Sequence, residues 1–190
     1  NVQVVTMMRE PVSRIRSAFR YTAKQNWASG KYTLGAHAHP VDMDIVEFIK
    51  TNSLYAGNNL QTRLIAGVVR PHQNQTVTDS TFQRAKDNLE HMGFFGIAEQ
   101  FDASVCLLRQ SDFGNDVLHI NDNWAGNEPL TTANIRSSMY ERTGVDLSEA
   151  QLQKARNSDL LSYDLQLYEF ATRLFYERVT AYPQCVKLLK

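Results

Sequence analysis

The opening of the chain changes abruptly from one hydrophobic pattern to another. Residues Val2–Met8 are β-branched and mostly apolar on both faces, which is typical of a buried strand in a parallel sheet. Pro11 follows, and it suits the first position of a helix because its missing N–H would have no partner there. Apolar residues then recur in steps of three and four, at Ile15, Ala18 and Phe19. The pattern predicts a helix over Pro11–Trp27, ended by Ser29-Gly30.

The remaining chain alternates helical and extended patterns. Short apolar runs predict two more strands, Phe94–Ala98 and Val117–Ile120. Capping boxes at Ser80–Gln83 and Ser148–Gln151 predict two helix starts. Helices are expected at about 41–50, 58–66, 80–92, 101–113, 132–142, 148–156 and 158–180. This alternation favours an α/β fold with helices around a parallel sheet, formed by residues 1–190 as a single domain.

Composition narrows the classes of function. The chain has 190 residues, of which 43% are hydrophobic, and its 20 Lys and Arg balance its 20 Asp and Glu. A general polyanion or nucleic-acid binder would carry a basic excess, so any anion site here must be local. No apolar run approaches the roughly 18 residues that a membrane span needs.

Cysteine and histidine give no sign of a metal site. Cys106 and Cys185 are the only cysteines, and they form either one disulfide or two buried thiols. His37 and His39 stand two residues apart before a proline, a spacing more typical of a surface loop than of a ligand pair. We expect neither histidine to be catalytic and no metal to be bound.

The informative segment is the turn from the first strand into the first helix. It reads Arg-Glu-Pro-Val-Ser-Arg-Ile-Arg-Ser over residues 9–17. Arg9 stands at the carboxyl end of the predicted strand, where open parallel sheets bind ligands. The helix start after it offers free N–H groups and a positive dipole end. Arg9 is suited to two charge-assisted hydrogen bonds, and Ser17 adds a hydroxyl, which together indicate a pocket for one phosphate monoester.

This strand followed by Arg-x-Pro-x-x-Arg-x-x-Ser resembles the 3′-phosphate-binding motif of sulfotransferases that use 3′-phosphoadenosine 5′-phosphosulfate (PAPS). Glu10 stands where that motif usually has Asp. Three further stretches are similar to the Golgi-type carbohydrate sulfotransferases, with the heparan-sulfate 2-O and chondroitin types as the nearest: Asn59–Gly67, Phe94–Ser104 and Asp159–Phe175.

The resemblance implies a P-loop-NTPase-like fold and sulfuryl transfer from PAPS to a hydroxyl, on a carbohydrate acceptor. Carried over by position, Arg9 and Ser17 bind the 3′-phosphate of the cofactor. Arg14 is also a motif position, interpreted as packing or pairing beneath the site. Arg63 and Glu99 match family positions, and a structural ion pair is expected for each. A eukaryotic source would imply the Golgi lumen, with a membrane anchor upstream of Asn1.

The family also has a Lys-bearing loop that holds the 5′-phosphosulfate, and a general base, both before the 3′-phosphate strand. Residues 1–190 contain no Gly-x-x-x-x-Gly-Lys and no Lys-Thr-Gly turn. We therefore interpret the sequence as the later part of a sulfotransferase domain, inactive alone because the charge that develops during transfer would not be offset. The alternative is a nucleotide-binding module without turnover. A kinase relative is disfavoured by the missing Walker loop and by the Arg-x-Pro-x-x-Arg-x-x-Ser string.

Overall fold

The computed structural model describes residues 4–29, 44–51, 57–68, 76–111 and 146–190. Its two strands are β1 (Val5–Met8) and β2 (Phe94–Ile97). Its α-helices are α1 (Pro11–Ser29), α2 (Ile45–Thr51), α3 (Leu60–Ile65), α4 (Asp79–His91), α5 (Phe101–Gln110), α6 (Glu149–Arg156), α7 (Ser162–Thr180) and α8 (Pro183–Val186). Short 3₁₀ turns at Ala98–Gln100 and Asp159–Leu161 precede α5 and α7. Three predicted features lie outside the described ranges: the strand Val117–Ile120, the helix 132–142, and the predicted loop with His37 and His39.

The two strands pair in parallel, with Val5 opposite Phe94 and Met8 opposite Ile97. A parallel pair flanked by helices agrees with the expected α/β class. All four residues of β2 are buried, whereas β1 is buried only at Met8. Val5 and Met7 are 43% and 42% exposed, so the expectation of a strand buried on both faces is wrong. Side chains alternate along a strand, and the face of β1 that carries these two residues is left open to solvent.

Helix starts follow local capping chemistry. The predicted capping box of α6 is confirmed, because Ser148 Oγ accepts from Gln151 N–H and the Gln151 side chain accepts from Ser148 N–H. The predicted box at Ser80 is wrong. Thr78 is the N-cap of α4, in an extended conformation, and its hydroxyl accepts from the N–H of Thr81. The hydroxyl of Thr78, two residues before Ser80, therefore accepts from the free N–H at the helix start, and α4 begins two residues earlier than that box predicts.

The buried side chains form two clusters. The first lies around β2 and the helices α4, α5 and α7, with Phe95 and Phe175 fully buried. The second lies between α1, α2 and α6, where the rings of Phe19 and Phe48 meet edge to face at 5.3 Å. The helix α7 contributes Leu167 and Ala171 to the first cluster, and Asp164 in its first turn contacts Arg14 of α1 and Thr62 of α3.

The sequence left the state of the cysteines open, and the structure joins them. Cys106 of α5 and Cys185 of α8 form a disulfide across a sequence separation of 79 residues, with Cα atoms 5.5 Å apart. The bridge ties the C-terminal helix to the helix that follows β2. None of the described helices is long and apolar enough to cross a membrane.

Candidate anion-binding site

The site begins at Arg9, the first residue beyond the strand β1. The ladder between β1 and β2 ends at Met8 and Ile97, so the backbone groups of Arg9 have no strand partner. Gln61 of α3 supplies both bonds. The N–H of Arg9 donates to Gln61 Oε1 at 3.0 Å, and Gln61 Nε2 donates to the carbonyl oxygen of Arg9 at 2.8 Å. A side chain 52 positions away therefore fixes the end of the strand.

An open pocket of about 290 Å³ lies beside this strand end. Its lining residues are Arg9, Arg14, Ser17, Ala18 and Tyr21. The last four follow helical spacing, so they form one face of α1. The structure thus brings together the three residues that the sequence analysis singled out, Arg9, Arg14 and Ser17. It also adds Tyr21, which lies one turn beyond Ser17 and is 42% exposed.

Arg14 lies at the inner side of this pocket and pairs with Asp164 of α7. Its Nη2 donates to Asp164 Oδ2 at 3.2 Å, and the carboxylate is fully buried. Burial lowers the pKa of Arg14, the carboxylate of Asp164 raises it, and the neighbouring charges of Arg63 and Arg9 lower it further. Arginine stays protonated under such shifts, so the pair is an ion pair.

Asp164 also completes the start of the helix α3. Its Oδ1 accepts from the N–H and the hydroxyl of Thr62 at 2.8 and 2.9 Å, and its Oδ2 accepts from the N–H of Gln61 at 3.2 Å. Asn59, just before α3, does the same for α7: its Oδ1 accepts from the N–H groups of Tyr163 and Asp164, both at 2.9 Å. The two helix starts therefore cap each other.

Asn59 holds an uncommon backbone conformation at this junction. Its φ is 43° and its ψ is 49°, in the left-handed region where asparagine is enriched among non-glycine residues. Its N–H donates to the carbonyl oxygen of Leu160 at 2.7 Å. The conformation lets one short side chain reach the turn before α7 while its own backbone opens α3.

The two remaining family positions have structural roles. Arg63 is 5% exposed, and its Nε donates to the carbonyl oxygen of Asn58 at 2.8 Å. Glu99 accepts from the N–H of Glu10 at 3.1 Å and from the hydroxyl of Tyr168 at 2.8 Å. These partners of Glu99 are neutral donors, so in the described part of the chain the expected ion pair of Glu99 is wrong. Burial, followed by the bond to Glu99, raises the pKa of Tyr168 above its usual range.

Glu10, the departure from the usual Asp of the motif, caps the first helix. Its Oε2 accepts from the N–H of Ser13 at 2.6 Å, the bond that an N-cap residue makes to the third helical position. Its Oε1 pairs with Arg156 of α6 at 3.2 Å. The longer side chain therefore performs the capping that a shorter carboxylate would perform and reaches α6 as well.

The charges around the pocket have a positive excess. The charges of Arg9 and Arg63 both act on Arg14, and the carboxylate of Asp164 acts on Arg14 and on Arg63. In the ranges that the structure describes, no carboxylate pairs with the guanidinium of Arg9. A guanidinium in this position is chemically suited to charge-assisted hydrogen bonds with an oxyanion. Within the same ranges, no group of three His, Cys, Asp or Glu side chains could hold a metal ion.

Sequence reasoning missed the residues that support the pocket from other elements. Gln61 and Asp164 lie 52 and 155 positions after Arg9, and no periodicity in the sequence connects them to the motif. The signal available was indirect, since both lie in stretches that resemble the sulfotransferases. Tyr21 carried a local signal, because it follows Ser17 by four residues on the same helix face.

The chain is similar to curated sulfotransferases. It is 26% identical to "Heparan-sulfate 6-O-sulfotransferase 3" of Homo sapiens and 25% identical to the protein of the same name from Mus musculus, each over an alignment of 202 residues. Both alignments cover 94% of this chain and 39% of the relative. The chain therefore spans about two fifths of the length of the curated relatives it matches. No protein-family model and no solved structure matches the chain.

These similarities support a relationship to sulfotransferases and are compatible with the fold class expected from the sequence. The alignments cover nearly the whole chain, so the similarity extends beyond the strand–helix motif. Both relatives are named as heparan-sulfate 6-O-sulfotransferases, so the resemblance to the 2-O or chondroitin type stays a prediction.

Proposed function

We propose that the pocket formed by Arg9, Arg14 and Ser17 binds the 3′-phosphate of PAPS, in a protein that transfers the sulfuryl group to a carbohydrate hydroxyl. The observation that carries the proposal is the convergence of these three side chains at the end of β1. The similarity to heparan-sulfate 6-O-sulfotransferase 3 supports the reaction class independently.

The chemistry of the pocket suits a phosphate monoester. Arg9 supplies a guanidinium that donates two parallel hydrogen bonds to phosphate oxygens. Arg14 adds a second guanidinium. Its partner Asp164 offsets that charge only in part, because the same carboxylate also accepts a hydrogen bond from Thr62 of α3. Ser17 adds a hydroxyl from the same helix face. PAPS, when bound, supplies the sulfuryl group, while these residues hold and orient the nucleotide. The positive excess of the pocket favours a 3′-phosphate over a free ribose hydroxyl.

The finer parts of the proposal concern the acceptor, the compartment and the domain. We propose a glycosaminoglycan-type acceptor, on the strength of the resemblance and of the relatives' printed names. The Golgi lumen is the proposed compartment, and the disulfide between Cys106 and Cys185 supports an oxidising environment. Residues 1–190 form one part of the sulfotransferase domain, whose 5′-phosphosulfate loop and general base are supplied by other residues.

Calorimetric titration of the full-length protein tests the nucleotide site. Adenosine 3′,5′-bisphosphate should bind more tightly than adenosine 5′-phosphate. Arg9→Ala should cost about 1.5–3 kcal/mol of bisphosphate binding and Ser17→Ala about 1 kcal/mol, since hydrogen bonds to charged groups are the stronger ones. Lys154→Ala is the matched control, because this lysine is exposed on α6 and pairs with Asp44. Equal affinity of the wild type for the two nucleotides would refute the site.

A transfer assay separates turnover from binding. The full-length protein is incubated with ³⁵S-labelled PAPS and with desulfated heparan sulfate, 6-O-desulfated heparin or chondroitin as acceptor. Label on one of these polysaccharides, lost in the Arg9→Ala variant, supports the enzyme. Tight bisphosphate binding without label transfer to any of them favours the alternative of a nucleotide-binding module.

A further inference from the structure

We propose that Gln61 is a positioning residue that aims the guanidinium of Arg9 into the anion pocket. This inference rests on the proposed function, and it assigns a role to a residue that lies outside the binding motif. Gln61 does not line the pocket. Its effect on ligand binding would therefore pass through Arg9.

The side-chain amide of Gln61 replaces a strand partner. Arg9 follows the last paired residue of β1, and both its N–H and its C=O bond to the same amide, at 3.0 and 2.8 Å. The N–H and the C=O of Arg9 belong to the two successive peptide groups that flank its Cα, so the two bonds together restrain both groups. The Cα–Cβ direction of Arg9, and so the start of its side chain, follows from that peptide geometry.

Gln61 is itself held firmly. The residue is 7% exposed, and its backbone N–H donates to Asp164 Oδ2 at 3.2 Å. The same carboxylate oxygen accepts from Arg14 Nη2 at 3.2 Å. Asp164 therefore orients both arginines of the pocket, Arg14 directly and Arg9 through Gln61. A fixed supporting layer of this kind is what keeps a binding group in its productive geometry.

The guanidinium of Arg9 depends on this support. In the described part of the chain, no hydrogen bond or ion pair of the Arg9 side chain restrains it, in contrast to Arg14, which is tied to Asp164. The two bonds from Gln61 to the backbone of Arg9, here called the backbone clamp, thus set where the Arg9 side chain begins. Loss of the clamp should reduce recognition of the 3′-phosphate and leave contacts to the rest of the nucleotide unchanged.

The test compares two nucleotides in calorimetric titrations of the full-length protein. Gln61→Met keeps the length of the side chain and removes both hydrogen bonds. Affinity for adenosine 3′,5′-bisphosphate should fall about tenfold, the lower end of what outer-shell hydrogen bonds contribute at metal sites. Affinity for adenosine 5′-phosphate, which lacks the group that Arg9 reads, should change by less than about twofold. If Gln61→Met does not fold, Gln61→Asn is decided by the same criterion, since it stays uncharged and its shorter amide cannot make both bonds to Arg9.

A double variant and a stability control identify the route of the effect. In the Arg9→Ala background, Gln61→Met should cost no further bisphosphate affinity, because the group it positions is already absent. Arg178→Ala removes three bonds to the carbonyl oxygens of Leu89, Glu90 and Met92, away from the pocket. It should lower the melting temperature and leave the ratio of the two affinities unchanged.

Three results would overturn the inference while the proposed function stands. They are a Gln61→Met protein that binds bisphosphate like the wild type, an equal loss for both nucleotides, and additive losses in the double variant. A wild type that does not distinguish the two nucleotides, or that tolerates Arg9→Ala, would instead overturn the proposed function and this inference with it.

Discussion

Two strand–helix units lie side by side in this protein, and they differ in what they carry. The motif unit is β1 with α1, and the core unit is β2 with α5. Their strands pair in parallel, residue by residue, from Val5 opposite Phe94 to Met8 opposite Ile97. The strand of the core unit is buried along its whole length, whereas the strand of the motif unit is buried only at Met8 and leads into the arginines of the pocket.

Each unit also has a side chain that satisfies the backbone where its strand ends. In the core unit, Ser104 Oγ accepts from the N–H of Ile97 at 2.9 Å and donates to its carbonyl oxygen at 3.0 Å, from seven residues away. In the motif unit, Gln61 does this for Arg9 from 52 residues away. The core unit is therefore completed by its own helix, while the motif unit acquires its geometry only when α3 and α7 are in place.

Removal of the disulfide should have the largest effect on stability and should affect the core unit. The bridge from Cys106 to Cys185 closes a loop of 79 residues. In the chain-entropy description, the double variant Cys106→Ala/Cys185→Ala loses about 4.5 kcal/mol of unfolding free energy. Urea unfolding of both proteins measures the loss. Bisphosphate affinity of the fraction that remains folded should stay within about threefold, and a larger fall would mean that the two units are not separable.

Asp164→Ala should have the next largest effect on stability, and it should act on the motif unit. The carboxylate is fully buried and pairs with Arg14, so its removal leaves a buried guanidinium without its counter-charge. Breaking a buried pair in this way costs about 3–5 kcal/mol. Urea unfolding again provides the measurement, together with titration of the bisphosphate.

Asp146→Ala is the matched control for that variant. Asp146 accepts from both Arg16 and Arg20, and it is about 31% exposed. Exposed ion pairs contribute about 0.2–1 kcal/mol each, so we expect a smaller loss than for the buried Asp164. If Asp146→Ala destabilised the protein as much as Asp164→Ala, the number of arginine partners rather than burial would set the energy.

Gly96→Ala probes the close contact between the two units. A Cβ at Gly96 would lie 2.4 Å from Met7 Sδ and 2.8 Å from Ser104 Cβ. The flexible Met7 side chain can move aside, whereas Ser104 is held by its two bonds to Ile97. We expect a loss of about 1–3 kcal/mol, as for other overpacked sites, read from urea unfolding. At Gly67 the cost of an alanine would have a different cause. Nothing lies within 4 Å of the added Cβ, and only the φ of 70° opposes the substitution.

The smallest effect should be a dependence on pH at Asp146. The hydrogen bond from Arg16, and then that from Arg20, hold the pKa of Asp146 below its usual range. A carboxyl whose folded-state pKa is lowered stabilises the protein above its unfolded pKa, about 4, and loses that contribution as the pH falls towards the folded value. The difference in unfolding free energy between the wild type and Asp146→Asn should therefore shrink progressively below about pH 4. A difference that grows on acidification would contradict the sign.

The sequence by itself determined the features whose causes are local. Pro11 began a helix, Ser148 and Gln151 built a capping box, and the apolar run at 94–97 became a strand, because each follows from residues within a few positions of one another. The order of Arg9, Arg14 and Ser17 behind a strand likewise placed them at one strand end and on one helix face. The pocket-lining residues of the motif were therefore accessible to reasoning from the sequence.

Only the tertiary structure decided what surrounds that motif. The pairing of Arg14 with Asp164 spans 150 positions, the clamp of Gln61 on Arg9 spans 52, and the disulfide spans 79. No period of 2 or 3.6 residues extends over such separations, so neither the partners nor the open face of β1 could be read from the pattern. Burial of Asp164 depends on two helix starts meeting head to head, which chain folding creates and local sequence does not specify.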